Sequence, residues 1–286
     1  LGEQKVIDYV VNNALRFVEP SDVYIVIGPQ GDQVQAHLGP QFNYVLQPEP
    51  VGTGNAVQCT APFLRDFGGD LLILYGDTPL FRPSPLRGLI SRHYLKEAAL
   101  TLFTAVLPEP LSYGHIVRNA TGEIVDIIEE ADKEEAPPQA SYELNIGAYV
   151  VQAAKLYPAL AQLTLDNKRG EYLLTDCVRH LVKSGLRIAN YQSYAEEDAL
   201  GINTPEDLEE VEFTLQKRLF RPRRDEEESL IRFGTGGWRA VIGEGFTMDN
   251  VRRLCQALAN EVVRQNHEAR GVVIGYDRRF LSDRAA

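Results

Sequence analysis

Two polar residues stand where this sequence could hold a metal ion that carries phosphates. Asp77 follows Gly76 after the apolar run 70–74, which predicts a strand buried on both faces. Asn203 stands directly before Thr204, the predicted N-cap of a helix. Open α/β sheets bind ligands at the carboxyl ends of their strands, and oxygen ligands suit Mg²⁺. Simpler alternatives stay open, because Asp77 could cap a turn and Asn203 could be an ordinary turn residue.

A loop with two glycines, Gly52-Thr53-Gly54, separates a predicted strand from a predicted helix. Glycines at such a place let backbone N–H groups and a helix N-terminus approach a nucleotide closely. The third glycine of the dinucleotide-binding pattern is absent, so a hydride-transfer enzyme is a weak hypothesis. A purely structural tight turn remains the alternative.

Three further residues have both a functional and a structural interpretation. Asn145 interrupts the apolar run 141–151, so it is either hydrogen-bonded in the core or directed at a ligand. Arg239 closes a second glycine cluster, and Arg279 follows a predicted strand at 271–277. Arg278 and Arg279 form a pair just past this strand, and the pair could bind a phosphate or could simply be exposed.

Alternating helices and strands are predicted to position these residues. The alternation through Asp77 predicts a doubly wound, mostly parallel, Rossmann-like α/β sheet. Two strands at 113–118 and 124–129, joined by a short turn, predict a small antiparallel insertion. Residues 216–228 are basic and then acidic, which predicts a linker between a domain at 1–215 and a partial α/β domain at 229–286.

Composition narrows the class of protein and its partners. A net charge of −11 over 286 residues argues against nucleic-acid binding, and no apolar run reaches the length that spans a membrane. Three widely spaced cysteines predict reduced, mostly buried thiols of a cytoplasmic protein without zinc. The chain starts at Leu1 and its single methionine is Met248, so we expect a piece of a longer protein.

The ordered set of motifs resembles the sugar-1-phosphate nucleotidyltransferases over roughly residues 1–215, and among them the uridylyltransferase domain that makes UDP-N-acetylglucosamine. The matching stretches are Gln47, Gly52–Ala56, Tyr75–Leu80, Tyr113–Val117, Ile128–Glu129, Asn145–Gly147, Gly170–Asp176 and Gly201–Asn203. Departures from the family pattern occur at Asn55, His115 and Ile146, where His, Arg and Thr are common. These departures leave the sugar and the base open.

The resemblance implies a role for each candidate residue. The implied nucleotide-binding residues are Gln47, Gly52, Thr53 and Gly54; the implied Mg²⁺ ligands are Asp77 and Asn203; the implied sugar-phosphate contacts are Gly114, Glu129 and Asn145. The family's glycine-rich triphosphate loop, with its Arg and Lys, would precede residue 1. We therefore expect this chain by itself to turn over slowly.

Residues 229–286 are similar to the opening of the α-D-phosphohexomutases, with Gly236 and Ala240 where Ser and Gly are usual. The resemblance implies that Arg239 and Arg279 are phosphate-binding candidates and that the serine carrying the mutase chemistry lies beyond residue 286.

The function implied is transfer of a nucleotidyl group, from UTP to N-acetylglucosamine 1-phosphate, in a bifunctional protein that also carries a mutase. A non-catalytic nucleotide-sugar-binding regulator and a mutase whose N-terminal half only binds are the alternatives. Whether the chain forms a homo-oligomer is left open.

Overall fold

The computed structural model describes residues 4–108, 113–132, 141–165, 167–193, 195–219, 233–234, 237–238 and 248–265. The chain divides into two compact units, Leu1–Leu219 and Phe220–Ala286. The described helices are α1 (Val6–Ala14), α2 (Asp32–Leu38), α3 (Thr53–Gln58), α4 (Ala61–Leu64), α5 (Pro83–Lys96), α6 (Ala153–Leu160), α7 (Asp176–Lys183), α8 (Pro205–Leu219) and α9 (Met248–Arg264). The described strands are β1 (Tyr24–Ile27), β2 (Asn43–Leu46), β3 (Asp70–Leu74), β4 (Leu100–Leu107), β5 (His115–Arg118), β6 (Ile124–Ile128), β7 (Tyr142–Gln152), β8 (Ile188–Ser193), β9 (Phe233–Gly234) and β10 (Gly237–Trp238).

The main sheet of the first unit is mixed, and β7 runs through its middle. The strand order is β6-β5-β7-β4-β8, and β3 also pairs with β7. β3, β4 and β5 are antiparallel to β7, whereas β4 and β8 are parallel. β1 and β2 form a separate parallel pair. The prediction of an α/β fold is therefore right, and the prediction of a mostly parallel sheet is wrong.

The error has a physical reason in β7, which pairs antiparallel with both β3 and β4 and so interrupts the parallel series that alternating helices and strands predict. Nine of its eleven residues are buried, so it presents the continuous apolar run that is typical of a parallel strand covered on both faces. An antiparallel strand buried on both faces has the same pattern, and the sequence does not reveal its direction. The predicted antiparallel insertion is present, because β5 and β6 pair in that sense.

β3 is less buried than its sequence suggests. All five of its residues are partly exposed, which corrects the prediction of burial on both faces. Among the described strands, β3 pairs with β7 alone, so its other edge is not covered by a described strand.

Two hydrophobic cores lie on opposite faces of the sheet. On β4, Leu102 belongs to the core that includes α6 and α7, while Phe103 belongs to the core that includes α5. On β7, Tyr149 belongs to the core that includes α6 and α7, and Val150 belongs to the core that includes α5. This alternation follows from the two-residue period of a strand, and it places helices on both faces of the sheet.

The second unit is described only in part. β9 and β10 form a short antiparallel pair, and α9 follows. Arg239, Arg279, the predicted strand at 271–277 and residues 220–228 of the predicted linker lie outside the described residues. The cysteines are free thiols, but Cys255 is exposed, which corrects the expectation that the thiols are mostly buried. No helix in the described part of the chain is long and apolar enough to cross a membrane.

Candidate functional site

The segments that carry Asp77 and Asn203 are hydrogen-bonded to each other. The Ile202 N–H donates to the Asp77 carbonyl oxygen at 2.9 Å. A Cβ on Gly201 would lie 2.7 Å from the Tyr113 hydroxyl oxygen and 3.6 Å from Thr78 Cγ2, so a larger residue here would displace the Tyr113 side chain. The structure thus brings together two residues that are 126 positions apart in the sequence.

The start of α8 holds the Asn203 backbone in place. Asp207 Oδ2 accepts hydrogen bonds from the N–H groups of Asn203 and Thr204, both at 2.8 Å, and the Asp207 N–H donates to Thr204 Oγ1 at 3.1 Å. These bonds lower the pKa of the Asp207 carboxyl. The predicted capping arrangement is therefore present, and it leaves Asn203 exposed directly before the helix.

Asp77 is exposed at the end of β3, but neighbouring protein atoms still displace part of its hydration. This loss of hydration raises the pKa of the Asp77 carboxyl above its usual value. Thr78 makes the hydrogen bonds of the turn, since its hydroxyl donates to the Tyr75 carbonyl oxygen at 3.0 Å.

The donor set of these two side chains fits Mg²⁺. A carboxylate and an amide oxygen are hard ligands, and Mg²⁺ is usually bound by one or two protein ligands together with substrate phosphates and water. No cluster of three or more His, Cys, Asp or Glu side chains suited to a metal occurs within the described residues. A site at Asp77 and Asn203 would therefore depend on phosphates to complete it.

The glycines of the Gly52–Gly54 loop are required by protein packing. Gly52 has φ +117°, and a Cβ there would lie 2.4 Å from the Tyr172 carbonyl oxygen. The Gly54 N–H donates to that same oxygen at 2.7 Å. The alternative of a structural tight turn thus explains both glycines. The Gly54 N–H is already hydrogen-bonded within the protein.

Gln47 is fixed next to this loop. It is 9% exposed, and its Nε2 donates to Asn55 Oδ1 at 2.9 Å and to the Gly52 carbonyl oxygen at 3.2 Å. Asn55, one of the three departures from the family pattern, therefore orients the Gln47 amide.

Two tyrosine hydroxyls lie next to Asn145. The Tyr75 hydroxyl lies 3.2 Å from the Tyr149 hydroxyl. Asn145 Nδ2 donates to the Tyr149 hydroxyl oxygen at 2.7 Å. Asn145 is 4% exposed, and its Oδ1 has no hydrogen-bond partner. An unsatisfied buried acceptor is costly, so Asn145 Oδ1 is the atom here that most needs a donor from a ligand.

The sequence-based interpretation assigned no role to Tyr75, Tyr149 or Thr175. Burial raises the pKa of Tyr75 to about 12 and that of Tyr149 well above 10, so both hydroxyls stay protonated at neutral pH. Tyr75 and Thr175 fall within two of the stretches that match the family pattern, but that match assigned them no role. Tyr149 is a hydroxyl within an apolar strand, which also describes an ordinary core tyrosine.

Glu129 and Gly114 lie beside each other at the ends of the β5–β6 hairpin. A Cβ on Gly114 would lie 3.2 Å from Glu129 Oε1, and that oxygen accepts a hydrogen bond from the Thr175 hydroxyl at 2.7 Å. The Asn145 N–H donates to the Gly114 carbonyl oxygen at 2.8 Å. The three residues predicted to contact a sugar phosphate are therefore neighbours.

Models of two known families match this chain, each over a different part. A family model described as "Nucleotidyl transferase" matches residues 1–217, more than half of the chain. The chain belongs to the nucleotidyl transferase family. A second model, "Phosphoglucomutase/phosphomannomutase, alpha/beta/alpha domain I", matches residues 230–286. Both predicted resemblances are thereby confirmed.

Curated relatives of this nucleotidyl transferase include the "Bifunctional protein GlmU" of two bacteria. The protein from Brevibacillus brevis is 40% identical over 209 residues, covering 73% of this chain and 45% of that protein. The protein from Levilactobacillus brevis is 40% identical over 197 residues, covering 68% and 43%. The chain spans less than half the length of these relatives.

Solved structures share the fold of the transferase unit. A UDP-glucose pyrophosphorylase complexed with UDP-glucose superposes with a TM-score of 0.57 at 17% identity, covering 76% of this chain and 88% of that one. The apo form of a UDP-glucose pyrophosphorylase gives a TM-score of 0.59 at 19% identity, with the same coverage. At this identity the likeness concerns the fold alone.

Proposed function

We propose that this nucleotidyl transferase moves a uridylyl group from UTP to N-acetylglucosamine 1-phosphate, giving UDP-N-acetylglucosamine and pyrophosphate. The observation that carries the proposal is the hydrogen bond from the Ile202 N–H to the Asp77 carbonyl oxygen, since it brings the two proposed metal ligands to one strand end. The family match over residues 1–217 supports nucleotidyl transfer, and the sugar and the base are inferred from the resemblance of the motifs.

The reaction needs no protein nucleophile. A phosphate oxygen of the sugar 1-phosphate attacks the α-phosphorus of UTP in line, and pyrophosphate leaves. Catalysis then consists of positioning the reactants and neutralising charge. Asp77 and Asn203 would hold Mg²⁺, which when bound neutralises phosphate charge.

The remaining candidate residues orient the two substrates. Asn145 Oδ1, the buried acceptor without a partner, would accept a hydrogen bond from the sugar. Tyr149 keeps the Asn145 amide in this orientation by occupying its Nδ2. Gln47, which donates to the Gly52 carbonyl oxygen, and the Gly52–Gly54 loop would contact the nucleotide.

A panel of substrates tests this proposal. With the protein that contains both domains, four nucleoside triphosphates are each combined with the 1-phosphates of N-acetylglucosamine, glucose and galactose in the presence of Mg²⁺, and release of pyrophosphate is measured. We expect the highest kcat/KM for UTP with N-acetylglucosamine 1-phosphate. Binding of UDP-N-acetylglucosamine in calorimetry without pyrophosphate release from any pair would favour the non-catalytic regulator instead.

The match of residues 230–286 to a phosphohexomutase domain supports a second proposal. We propose that the protein containing both domains makes a hexose 1-phosphate in its mutase and consumes it in its transferase. Tethering two active sites raises the effective concentration of a shared intermediate if the linker can span them. A fusion of two domains that do not pass the intermediate to each other is the alternative, and the sequence is compatible with both.

This bifunctional proposal predicts that the protein with both domains makes nucleotide sugar from a hexose 6-phosphate, a sugar bisphosphate activator, UTP and Mg²⁺. Chromatography of the product mixture measures it. Product that forms only after addition of a hexose 1-phosphate would contradict the proposal.

A further inference from the structure

A salt bridge joins the two chain segments that carry the proposed metal ligands. Arg82 lies five residues after Asp77, and Asp198 lies five residues before Asn203. Arg82 Nε donates to Asp198 Oδ1 at 3.1 Å, and Arg82 Nη2 donates to Asp198 Oδ2 at 3.0 Å. Two parallel hydrogen bonds of this kind fix orientation as well as distance.

The Asp198 carboxylate is fully buried, with a side-chain exposure of 0%, whereas Arg82 is 45% exposed. Ser193 Oγ donates to Asp198 Oδ2 at 2.7 Å, so the carboxylate is held from two sides. Burial of a charge is costly without a partner. The Asp198 carboxylate therefore holds the segment around Asp198 next to the Arg82 guanidinium.

Arg218 on α8 makes a second connection between the same segments. Its Nη1 donates to the Leu80 carbonyl oxygen at 2.7 Å, and its Nε donates to Glu197 Oε2 at 3.0 Å. Leu80 lies between Asp77 and Arg82, and Glu197 precedes Asp198. The segments are thus joined at side chains as well as through the Ile202–Asp77 backbone bond.

We propose that Arg82 and Asp198 are positioning residues, which hold Asp77 and Asn203 at the separation needed to bind a divalent cation together with a nucleotide. The inference rests on the proposed function, because that function supplies the metal. The Arg82 guanidinium and the Asp198 carboxylate bind each other and not the cation. These two residues would therefore affect cation binding only by positioning the segments that carry Asp77 and Asn203.

The test is cation binding by the Arg82→Met variant. Mn²⁺ is titrated into the protein with UDP-N-acetylglucosamine present, and free Mn²⁺ is measured by electron paramagnetic resonance. We expect Mn²⁺ affinity to fall about 10- to 100-fold, the usual effect of losing a residue that orients a metal ligand. The Asp198→Asn variant, which keeps the shape of the side chain, should weaken Mn²⁺ binding as well.

Arg118→Met is the matched control, because Arg118 makes a similar two-bond contact with Glu143, at 2.8 and 2.7 Å, at the end of β5 opposite Gly114. Arg118→Met should lower the melting temperature without weakening Mn²⁺ binding. Equal Mn²⁺ affinities for wild type, Arg82→Met and Asp198→Asn would overturn the positioning role. Failure of the wild-type protein to bind Mn²⁺ with the nucleotide would instead overturn the proposed metal site.

Discussion

Replacing Asp77 with alanine in the protein that contains both domains is expected to lower kcat of nucleotidyl transfer on the order of 1,000-fold, because a carboxylate that holds Mg²⁺ contributes several kcal/mol to neutralising charge in the transition state. Binding of the sugar 1-phosphate should change far less, since its proposed contacts are made by Gly114, Glu129 and Asn145 and not by Asp77. Initial rates over a range of Mg²⁺ concentrations measure the effect, and calorimetry measures sugar-phosphate binding.

Stability distinguishes this role from a structural one. The pKa of Asp77 is raised by loss of hydration, so its charged form at neutral pH is disfavoured by the fold, and alanine should leave the melting temperature unchanged or higher. Asp66→Ala is a suitable control, because Asp66 is also exposed and precedes β3. An Asp77→Ala variant that keeps the wild-type kcat and the wild-type dependence on Mg²⁺ would refute the metal-binding role.

Local signals in the sequence predicted most of the elements but not their arrangement. The start of α8 could be predicted because Thr204, Pro205 and Asp207 form the cap within four consecutive residues, and the structure contains those hydrogen bonds. The direction of β7 could not be predicted, because its partners β3, β4 and β5 are distant in sequence and its burial hides the period of two.

The candidate site shows the same division. Asp77 and Asn203 were identified from their positions at element ends, which are local features. Two other contacts join residues that are far apart in the sequence, by up to 116 positions: the salt bridge between Arg82 and Asp198 and the contact between the Tyr75 and Tyr149 hydroxyls. No local pattern in the sequence predicts either contact. Packing against Tyr172 explains Gly52 and Gly54, which the sequence had associated with a nucleotide.

Phe103→Ala is expected to cause the largest loss of stability, about 3–5 kcal/mol in the free energy of unfolding. Phe103 is 0% exposed in the core shared with α5, where its ring centroid lies 5.0 Å from that of Phe81 and 5.5 Å from that of Tyr191. Alanine leaves a cavity that both rings must border, since neighbouring strands hold the backbone in place. Denaturant unfolding measures the loss.

The cavity should also reach the proposed metal site. Phe81 lies between Leu80 and Arg82, so its packing against Phe103 supports the segment that runs from Asp77 to the salt bridge. We therefore expect Phe103→Ala to weaken Mn²⁺ binding in addition to destabilising the fold, whereas Phe63→Ala, at a residue that is 59% exposed, should cost less than about 1 kcal/mol and leave Mn²⁺ binding unchanged. A folded Phe103→Ala protein with wild-type Mn²⁺ affinity would show that the segment keeps its position without this core contact.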